Sequence, residues 1–337
     1  MPIDPLISIS DDLISVNNVI KKSLFSEIPI VNQISNHIIN SGGKRMRPAL
    51  HLLFAKLSGG VKTSHHEMAA IIEFIHTATL LHDDVVDQST QRRSNKTANV
   101  IFGNSASVLV GDFIYSRSFQ MMAEINNLDV MKILSNTTNA ISEGEILQLL
   151  NTNNAEINEE DYFQVIDCKT AKLFEACGSL AGVLNNFEDE KISAMAELGR
   201  SFGIIFQLTD DILDYSGKEI EIGKNIGDDL AEGKVTLPLI YAMKKTSSKE
   251  NKLIKDAIKM GDINHLPEII QILHQTNAIN DVRENLDEQI NTIDTILKKF
   301  QETRNERVKL LGENQSKEIE KRILLQSIDI NWKSHIQ

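Results

Sequence analysis

The stretch Phe74-Ile-His-Thr-Ala-Thr-Leu-Leu-His-Asp-Asp-Val-Val-Asp87 is an apolar run that ends in the pattern Asp-Asp-x-x-Asp. The same pattern returns at residues 210–214, again among apolar residues. Residues four apart share one face of a helix, so the outer two aspartates of each motif are predicted to lie side by side. Carboxylates at this spacing repel each other and are costly to bury, so each motif requires a cation. Because Mg²⁺ favours a few oxygen ligands with room for water and phosphate, the motifs predict a cleft where two helices hold Mg²⁺ around a phosphate-bearing substrate.

The distribution of proline indicates an all-α fold. The chain has six prolines, but none lies between Ala49 and Leu237, where helix-forming residues are abundant. Besides the helix that ends in the first motif, helices are predicted over residues 104–122, 131–150, 161–184 and 191–215. Ser64 and Glu67 have the spacing of a capping box and predict the start of the first-motif helix. We find neither the alternation typical of strands nor an Asn-Gly hairpin signal.

The remaining organisation is simple. Residues 216–234 contain several glycines and are predicted to form a loop, after which a helix resumes at Thr236. No linker rich in proline, glycine and serine divides the chain, so residues 1–337 are predicted to form a single domain.

Composition narrows the classes of function. The net charge of −12 argues against nucleic acid as a partner. Two cysteines, Cys168 and Cys177, make neither a disulfide framework nor a zinc site and fit a reducing cytoplasm. The first 12 residues carry three acidic residues and no basic one, so we expect no signal peptide. No apolar run reaches the length of about 18 residues that a membrane-spanning helix needs, so we expect no transmembrane segment.

Basic residues nevertheless form local groups in this acidic chain. These groups are Lys44, Arg45 and Arg47 after a glycine pair; Arg92 and Arg93; Lys169, followed by Thr170; and Lys224 and Lys234 in the glycine-containing loop. Guanidinium groups bind phosphate through two hydrogen bonds and lysine binds it as a point charge. Any one group alone is more typical of an exposed surface. His76 precedes the first motif and Gln207 precedes the second at helical spacing, which favours substrate contacts over core positions.

The assembled residues resemble the trans-isoprenyl (polyprenyl) diphosphate synthases. The similarity runs from about Gly42 to Pro238: residues 74–87 resemble the first aspartate-rich motif of that family, residues 206–215 the second, and residues 223–238 the loop that follows. Within the family the chain is most similar to octaprenyl diphosphate synthases, which make quinone side chains, because of Arg92-Arg93, residues 111–115 and residues 143–149. Residues 1–30 and 275–337 match weakly.

The resemblance implies an isoprenoid synthase fold, with antiparallel helices around a deep central cavity, in a cytoplasmic homodimer. It also implies an Mg²⁺-dependent prenyltransferase with two or three ions per active site. The substrates would be isopentenyl diphosphate and an allylic prenyl diphosphate, such as farnesyl diphosphate. The product would be a long all-trans polyprenyl diphosphate, with octaprenyl diphosphate for a quinone side chain preferred.

The resemblance also implies a role for each matching residue. The metal ligands would be Asp83, Asp87, Asp210 and Asp214. The catalytic group would add Asp211, Lys169 and Lys234 to these. The site for isopentenyl diphosphate would contain Lys44, Arg47, His76 and Arg93. The site for the allylic diphosphate would contain Arg92, Lys169, Thr170, Gln207 and Lys234.

Product length is predicted from the residues just before the first motif. In the resembling family, bulky aromatic residues there stop chain growth early, whereas Ala78 and Thr79 are small. We therefore expect a long product that passes these positions. The floor that ends growth would lie deeper, with candidates on the helix over residues 104–122 that include Phe113, Tyr115, Phe119 and Met122.

Two alternatives stay open. A class I terpene cyclase also ionises a prenyl diphosphate on an aspartate-rich helix, but it would not need the basic residues of a second diphosphate site. A non-catalytic subunit of a heteromeric synthase usually lacks one of the aspartate motifs, whereas both are intact here.

Overall fold

The structure is a computed structural model that describes residues 5–40, 45–92, 95–216 and 226–311. Within these ranges the regular structure is helical apart from one pair of two-residue strands, so the all-α prediction is confirmed. The contacts divide the chain into two compact units. One contains the described residues up to Thr138 together with Ala176–Gly199, and the other contains Asn139–Glu175 and the described residues from Arg200 onward. The single domain over residues 1–337 stays a prediction.

The helices before Leu128 and the first part of the next helix, as far as Thr138, build most of the first unit. In chain order, after a 3₁₀ helix at Pro5–Ile9, the elements are α1 (Ser10–Ser23), α2 (Pro29–Asn40), α3 (Met46–Leu57), α4 (Thr63–Val86), the antiparallel strands β1 (Gln91–Arg92) and β2 (Asn95–Lys96), α5 (Ala98–Phe102), α6 (Asn104–Ile125) and α7 (Leu128–Asn151). Helix α4 packs against α1, α3 and α6, and residues 68–72 of it are completely buried. Because α4 is held on several sides, its C-terminal turn has a defined position, and the first motif lies there.

The start of α4 differs from the prediction. The helix begins at Thr63 with Lys62 at the N-cap position, so Ser64 is not the cap. The backbone N–H of Lys62 donates to Nδ1 of His65 at 3.0 Å, and His65 thereby does what Glu67 was predicted to do. A neutral imidazole accepts this bond, and burial lowers the pKa of His65 to about 4, which keeps the ring neutral.

The second half of the chain continues with further helices, two of which, Asp189–Ser216 and Ala278–Leu311, are longer than any helix before them. They are α8 (Glu159–Ile166), a π-helical turn at Asp167–Ala171, α9 (Lys172–Leu184), α10 (Asp189–Ser216), α11 (Asp228–Ala231), α12 (Leu237–Lys245), α13 (Ser248–Met260), α14 (Leu266–Gln275) and α15 (Ala278–Leu311). Helix α12 packs against α13, α14 and α15. None of the helices in the described ranges is long and apolar enough to cross a bilayer.

The predicted helices compare well with the structure, with one exception. Helices α6, α7 and α10 confirm the predictions for residues 104–122, 131–150 and 191–215. The exception is the helix predicted over residues 161–184, which forms without a gap but contains a π-helical turn at Asp167–Ala171 in place of regular α-helix. Of the predicted glycine-containing loop, residues 217–225 lie outside the described residues, and the remainder contains the short helix α11.

Candidate active site: two aspartate motifs and their partners

The first motif lies at the C-terminal end of α4, and its middle aspartate faces the protein. Asp84 is only 2% exposed, and its Oδ1 accepts hydrogen bonds from Nε and Nη2 of Arg92 at 3.0 and 2.8 Å. The side-chain amide of Asn99 donates to the backbone carbonyl of Asp84 at 2.9 Å, which ties the end of α4 to α5. Asp83 and Asp87, the outer pair, are both partly exposed. The outer carboxylates are thus accessible to a cation. The middle carboxylate orients Arg92, which is one of the residues predicted to bind the allylic diphosphate.

The predicted pair Arg47 and His76 is brought together by α3 and α4. Nη1 of Arg47 lies 3.1 Å from Nε2 of His76, and since a guanidinium can only donate, Nε2 of His76 is the acceptor. One turn earlier on α4, Oε1 of Glu73 accepts from Nη1 of Arg45 at 2.5 Å. Arg45 precedes α3 with a left-handed φ of 48°. The two remaining members predicted for this diphosphate site, Lys44 and Arg93, lie outside the described residues.

The predicted chain-length positions occupy the same helix. Ala78 is 1% exposed, while Thr79 is partly exposed and its hydroxyl donates to the carbonyl of His76 at 2.8 Å. Helix α6 approaches α4 closely beside the motif, because a Cβ on Gly111 would lie 2.4 Å from Nε2 of His82. Of the candidate floor residues on α6, Met122 is completely buried, and the aromatic three are partly exposed.

The second motif lies near the C-terminal end of α10, and its middle aspartate is again held by the protein. Asp211 is 1% exposed. Its Oδ2 accepts from the hydroxyl of Tyr162 at 2.5 Å, and its Oδ1 accepts from Nε2 of Gln207 at 2.8 Å. The oxygen of the Gln207 amide accepts from the hydroxyl of Thr170 at 3.0 Å. The structure thus joins Thr170 and Gln207, both predicted allylic contacts, to the motif through one continuous chain of hydrogen bonds.

Negative charge is concentrated around the second motif. Burial, together with the nearby charges of Asp229 and Asp210, raises the pKa of Asp211 to about 7, although the hydrogen bonds from Tyr162 and Gln207 act to lower it. The loop after α10 keeps Asp229 close, because the backbone N–H of Gly227 donates to the carbonyl of Asp214 at 3.0 Å. A cation bound to the outer aspartates would relieve this repulsion.

A π-helical turn presents Lys169 and Thr170. Helices α7 and α10 can approach this turn closely because each has a glycine there. A Cβ on Gly144 would lie 2.7 Å from the backbone nitrogen of Lys169, and one on Gly203 would lie 2.7 Å from Cα of Ala171. Beside Gly144, Oε2 of Glu145 accepts from the Lys169 ammonium group at 2.6 Å. π-Helical turns often mark functional sites, since they displace side chains from a regular helical position.

Lys234 is fixed in the loop that follows the second motif. Its ammonium group lies 2.6 Å from Oε2 of Glu232, and its backbone N–H donates to the carbonyl of Asp229 at 2.8 Å. Gly233 has a left-handed φ of 70°, and a Cβ there would lie 2.0 Å from Oδ1 of Asn153. Glycine is therefore required for the turn that delivers Lys234.

The donor groups of the two motifs suit Mg²⁺. Among the residues that the structure describes, no three His, Cys, Asp or Glu side chains are assembled to hold a metal by themselves. Mg²⁺ commonly takes one or two carboxylates and completes its shell with water and substrate phosphates. A pair of aspartates at helical spacing in each motif provides this kind of incomplete oxygen shell.

Several residues of the site were not predicted from the sequence. No sequence pattern indicated Tyr162 or Gly203, because the residue that each one contacts is far away along the chain. Glu145 and Gly144 fall within the stretch 143–149 that the family resemblance contains, but no role was assigned to them.

Comparison with known proteins gives a consistent result. The Polyprenyl synthetase family model matches residues 28–274. The chain is 45% identical over 281 residues to octaprenyl diphosphate synthase from Escherichia coli, which is 83% of this chain and 87% of that protein. It is 40% identical over 278 residues to an all-trans-nonaprenyl-diphosphate synthase (geranyl-diphosphate specific) from Rhodobacter capsulatus, 82% of this chain and 85% of that protein.

Solved structures agree with this result. A polyprenyl synthase from Caulobacter crescentus complexed with calcium and isoprenyl diphosphate has a TM-score of 0.86 and 33% identity, covering 95% of this chain and 94% of that one. A decaprenyl diphosphate synthase from Rhodobacter capsulatus has a TM-score of 0.84 and 36% identity, covering 98% of this chain and 97% of that one. On the match to the family model over more than half its length, this chain belongs to the polyprenyl synthetase family.

Proposed function

We infer that this chain is a prenyltransferase, a long-chain trans-polyprenyl diphosphate synthase, and we propose that it makes octaprenyl diphosphate from farnesyl diphosphate and isopentenyl diphosphate. The observation that carries the proposal is the same division of roles in both motifs. In each, the middle aspartate is buried against a residue of the proposed allylic site, Arg92 for Asp84 and Gln207 for Asp211. The proposed ligands of the cation are the outer aspartates, of which Asp83, Asp87 and Asp210 are partly exposed and Asp214 is 7% exposed.

The residues of the two motifs would hold two or three Mg²⁺ ions, with Asp83 and Asp87 as ligands from α4 and Asp210 and Asp214 from α10. The calcium in the Caulobacter crescentus structure supports a divalent cation in such proteins. Bound Mg²⁺ would supply Lewis-acid stabilisation of the diphosphate leaving group.

The side chains of this protein would do the remaining work. Arg92, Lys169, Thr170, Gln207 and Lys234 would bind the allylic diphosphate. As its C–O bond breaks, positively charged side chains in fixed positions stabilise the negative charge that develops on the diphosphate. Arg92 is oriented in advance by Asp84. Lys169 is held by Glu145, and the incoming diphosphate would compete with this carboxylate for the ammonium group.

Isopentenyl diphosphate would bind to Arg47 and His76, together with Lys44 and Arg93. The contact between Arg47 and His76 supports this assignment. The alkene of isopentenyl diphosphate would attack C1 of the allylic cation, and the released diphosphate would then accept the proton that the condensed cation loses. Several rounds of this addition need space for the growing chain, and the small side chains of Ala78 and Thr79 would allow it to pass.

The proposal extends to the setting of the enzyme. We propose a cytoplasmic homodimer whose product becomes the side chain of a quinone. The octaprenyl assignment is favoured over nine or ten units by the 45% identity to the Escherichia coli enzyme.

The test is direct incubation of the purified protein with Mg²⁺, farnesyl diphosphate and labelled isopentenyl diphosphate, followed by chromatography of the dephosphorylated products. We expect a linear product of eight isoprene units. A cyclic hydrocarbon without uptake of label would indicate a class I terpene cyclase. Activity that appears only after a second protein is added would indicate a subunit of a heteromeric synthase.

A further inference from the structure

Tyr162 is a buried tyrosine to which neither the motifs nor the proposed reaction assigns a role. It lies on α8, is 5% exposed, and directs its hydroxyl at a carboxylate of the second motif. The hydrogen bond to Oδ2 of Asp211 is 2.5 Å long and joins residues 49 positions apart in the chain. A hydroxyl that donates to a carboxylate makes a charge-assisted bond, which is stronger and more directional than a bond between neutral groups.

The bond leaves Asp211 with both oxygens occupied by the protein. Oδ2 accepts from Tyr162, and Oδ1 accepts from Gln207 at 2.8 Å. Asp211 is 1% exposed, so its carboxylate depends on these donors in place of water. Its orientation is therefore set from two sides, by α8 and by its own helix.

The orientation of Asp211 determines that of Gln207. The NH₂ group of Gln207 is directed at Asp211, so its oxygen is the end that accepts from the hydroxyl of Thr170, at 3.0 Å. If Asp211 turned, the NH₂ group of Gln207 would lose its acceptor. The bond to Asp211 would then no longer determine which end of the amide, NH₂ or oxygen, faces Thr170. The order of donation runs from Tyr162 to Asp211 and, on the other side, from Thr170 to Gln207 to Asp211.

We propose that Tyr162 is a positioning residue for the allylic diphosphate site, acting through Asp211 on Gln207 and Thr170. This inference rests on the proposed function, because that function makes Gln207 and Thr170 substrate contacts. Tyr162 itself touches no reacting atom. Its part is to hold Asp211 turned towards α8, which fixes the end of the Gln207 amide that accepts from Thr170.

The test substitutes Tyr162→Phe, which removes only the hydroxyl. The matched control is Tyr241→Phe: Tyr241 belongs to the same compact unit, and its hydroxyl donates to Oε1 of Glu159 at 2.7 Å. Both substitutions delete a bond from a tyrosine to a carboxylate, but only the first bond reaches the motif. We expect Tyr162→Phe to raise the KM for farnesyl diphosphate about tenfold and to leave the KM for isopentenyl diphosphate within about twofold, as a bond to a charged group is worth roughly this much. Tyr241→Phe should leave both KM values within about twofold.

A double-mutant cycle separates positioning from a general structural role. The hydroxyl groups of Tyr162 and Thr170 contribute to one network, so Tyr162→Phe and Thr170→Val should have non-additive effects on binding of an unreactive farnesyl thiolodiphosphate with Mg²⁺, measured by calorimetry. We expect the double variant to bind the analogue only about twofold more weakly than whichever single variant binds it less tightly. Additive losses in binding would overturn the inference, as would equal changes in both KM values or a Tyr241→Phe variant that behaves like Tyr162→Phe. If the wild-type protein neither elongates farnesyl diphosphate nor binds the analogue, the proposed function fails. If the wild type does both and Tyr162→Phe is unchanged, only the positioning role fails.

Discussion

Gly144→Ala should displace the π-helical turn at Asp167–Ala171, and with it Lys169. The new Cβ would lie 2.7 Å from the backbone nitrogen of Lys169 and 2.9 Å from Cβ of Cys168. Contacts closer than 3.4 Å are tighter than ordinary packing, so the turn would have to recede by about 0.7 Å at its nearest atom. The obstacle is largely backbone, which cannot move aside as the end of a flexible side chain can.

We expect Gly144→Ala to lower the stability of the protein only modestly and to lower its activity much more. Overpacking of this kind costs about 1–3 kcal/mol, and replacing a helical glycine by alanine returns about 1 kcal/mol, so the net loss of stability should be at most about 2 kcal/mol. The lysine ammonium that Glu145 holds at 2.6 Å would be misplaced by several tenths of an ångström. Misplacement by about 1 Å can cost roughly 100-fold in rate, so we expect kcat/KM for farnesyl diphosphate to fall about 10- to 100-fold.

The assay is steady-state elongation with farnesyl diphosphate varied, together with thermal unfolding of each variant. Gly182→Ala is the matched control in α9, because its Cβ would meet the side chains of Ile192 and Met195 at 3.1 and 3.4 Å and the backbone only at an ordinary 3.5 Å, at Cα of Ile192. We expect Gly182→Ala to keep kcat/KM within about twofold. The reasoning would be refuted by a folded Gly144→Ala variant with wild-type kcat/KM, or by a Gly182→Ala variant that loses as much activity.

Three further outcomes are expected. Asp83→Ala and Asp210→Ala should each lower turnover by at least about 100-fold without changing the circular dichroism spectrum, since the Mg²⁺ that would stabilise the charge on the leaving diphosphate loses a ligand; near-normal turnover would contradict the metal assignment. Ala78→Phe should shorten the product seen by chromatography, and an unchanged length would show that the growing chain does not pass this residue. Burial lowers the pKa of His51 to about 3 and that of His65 to about 4, from an ordinary value of 6.5, so the unfolded chain binds more protons below pH 6.5. Stability should therefore be fully present above that pH and fall towards pH 4, by up to about 1.4 kcal/mol per pH unit for each histidine, as measured by urea unfolding; a midpoint that does not change over this range would contradict it.

The helices and their order could be predicted because the signals are local. The absence of proline over nearly 190 residues and the apolar runs before each motif depend only on neighbours in the chain. The spacing of Asp83 and Asp87 likewise follows from the repeat of one helix. The contact between Arg47 and His76 was expected only through the family resemblance, and the structure brings the two together.

The π-helical turn within the helix predicted over residues 161–184 could not be predicted in this way. Residues 167–171 contain neither proline nor glycine, so nothing local interrupts the helical pattern. The π-helical turn is accommodated by Gly144 and Gly203 on two other helices, and their role becomes visible only when the helices are packed. The start of α4 was misplaced for a local reason instead, because His65, three residues after Lys62, accepts the bond that the spacing of Ser64 and Glu67 assigned elsewhere.

The sequence by itself determined the helical class, the two aspartate motifs and the need of each motif for a cation, because helical periodicity and like-charge repulsion act between residues close in the chain. Only the tertiary structure distinguished the middle aspartate of each motif from the outer two. The middle residues Asp84 and Asp211 are turned into the protein by Arg92 and by Tyr162 with Gln207, and the outer residues stay the proposed ligands of the cation. The physical reason is that a buried carboxylate must find donors, and folding alone brings a donor such as Tyr162 from 49 positions away.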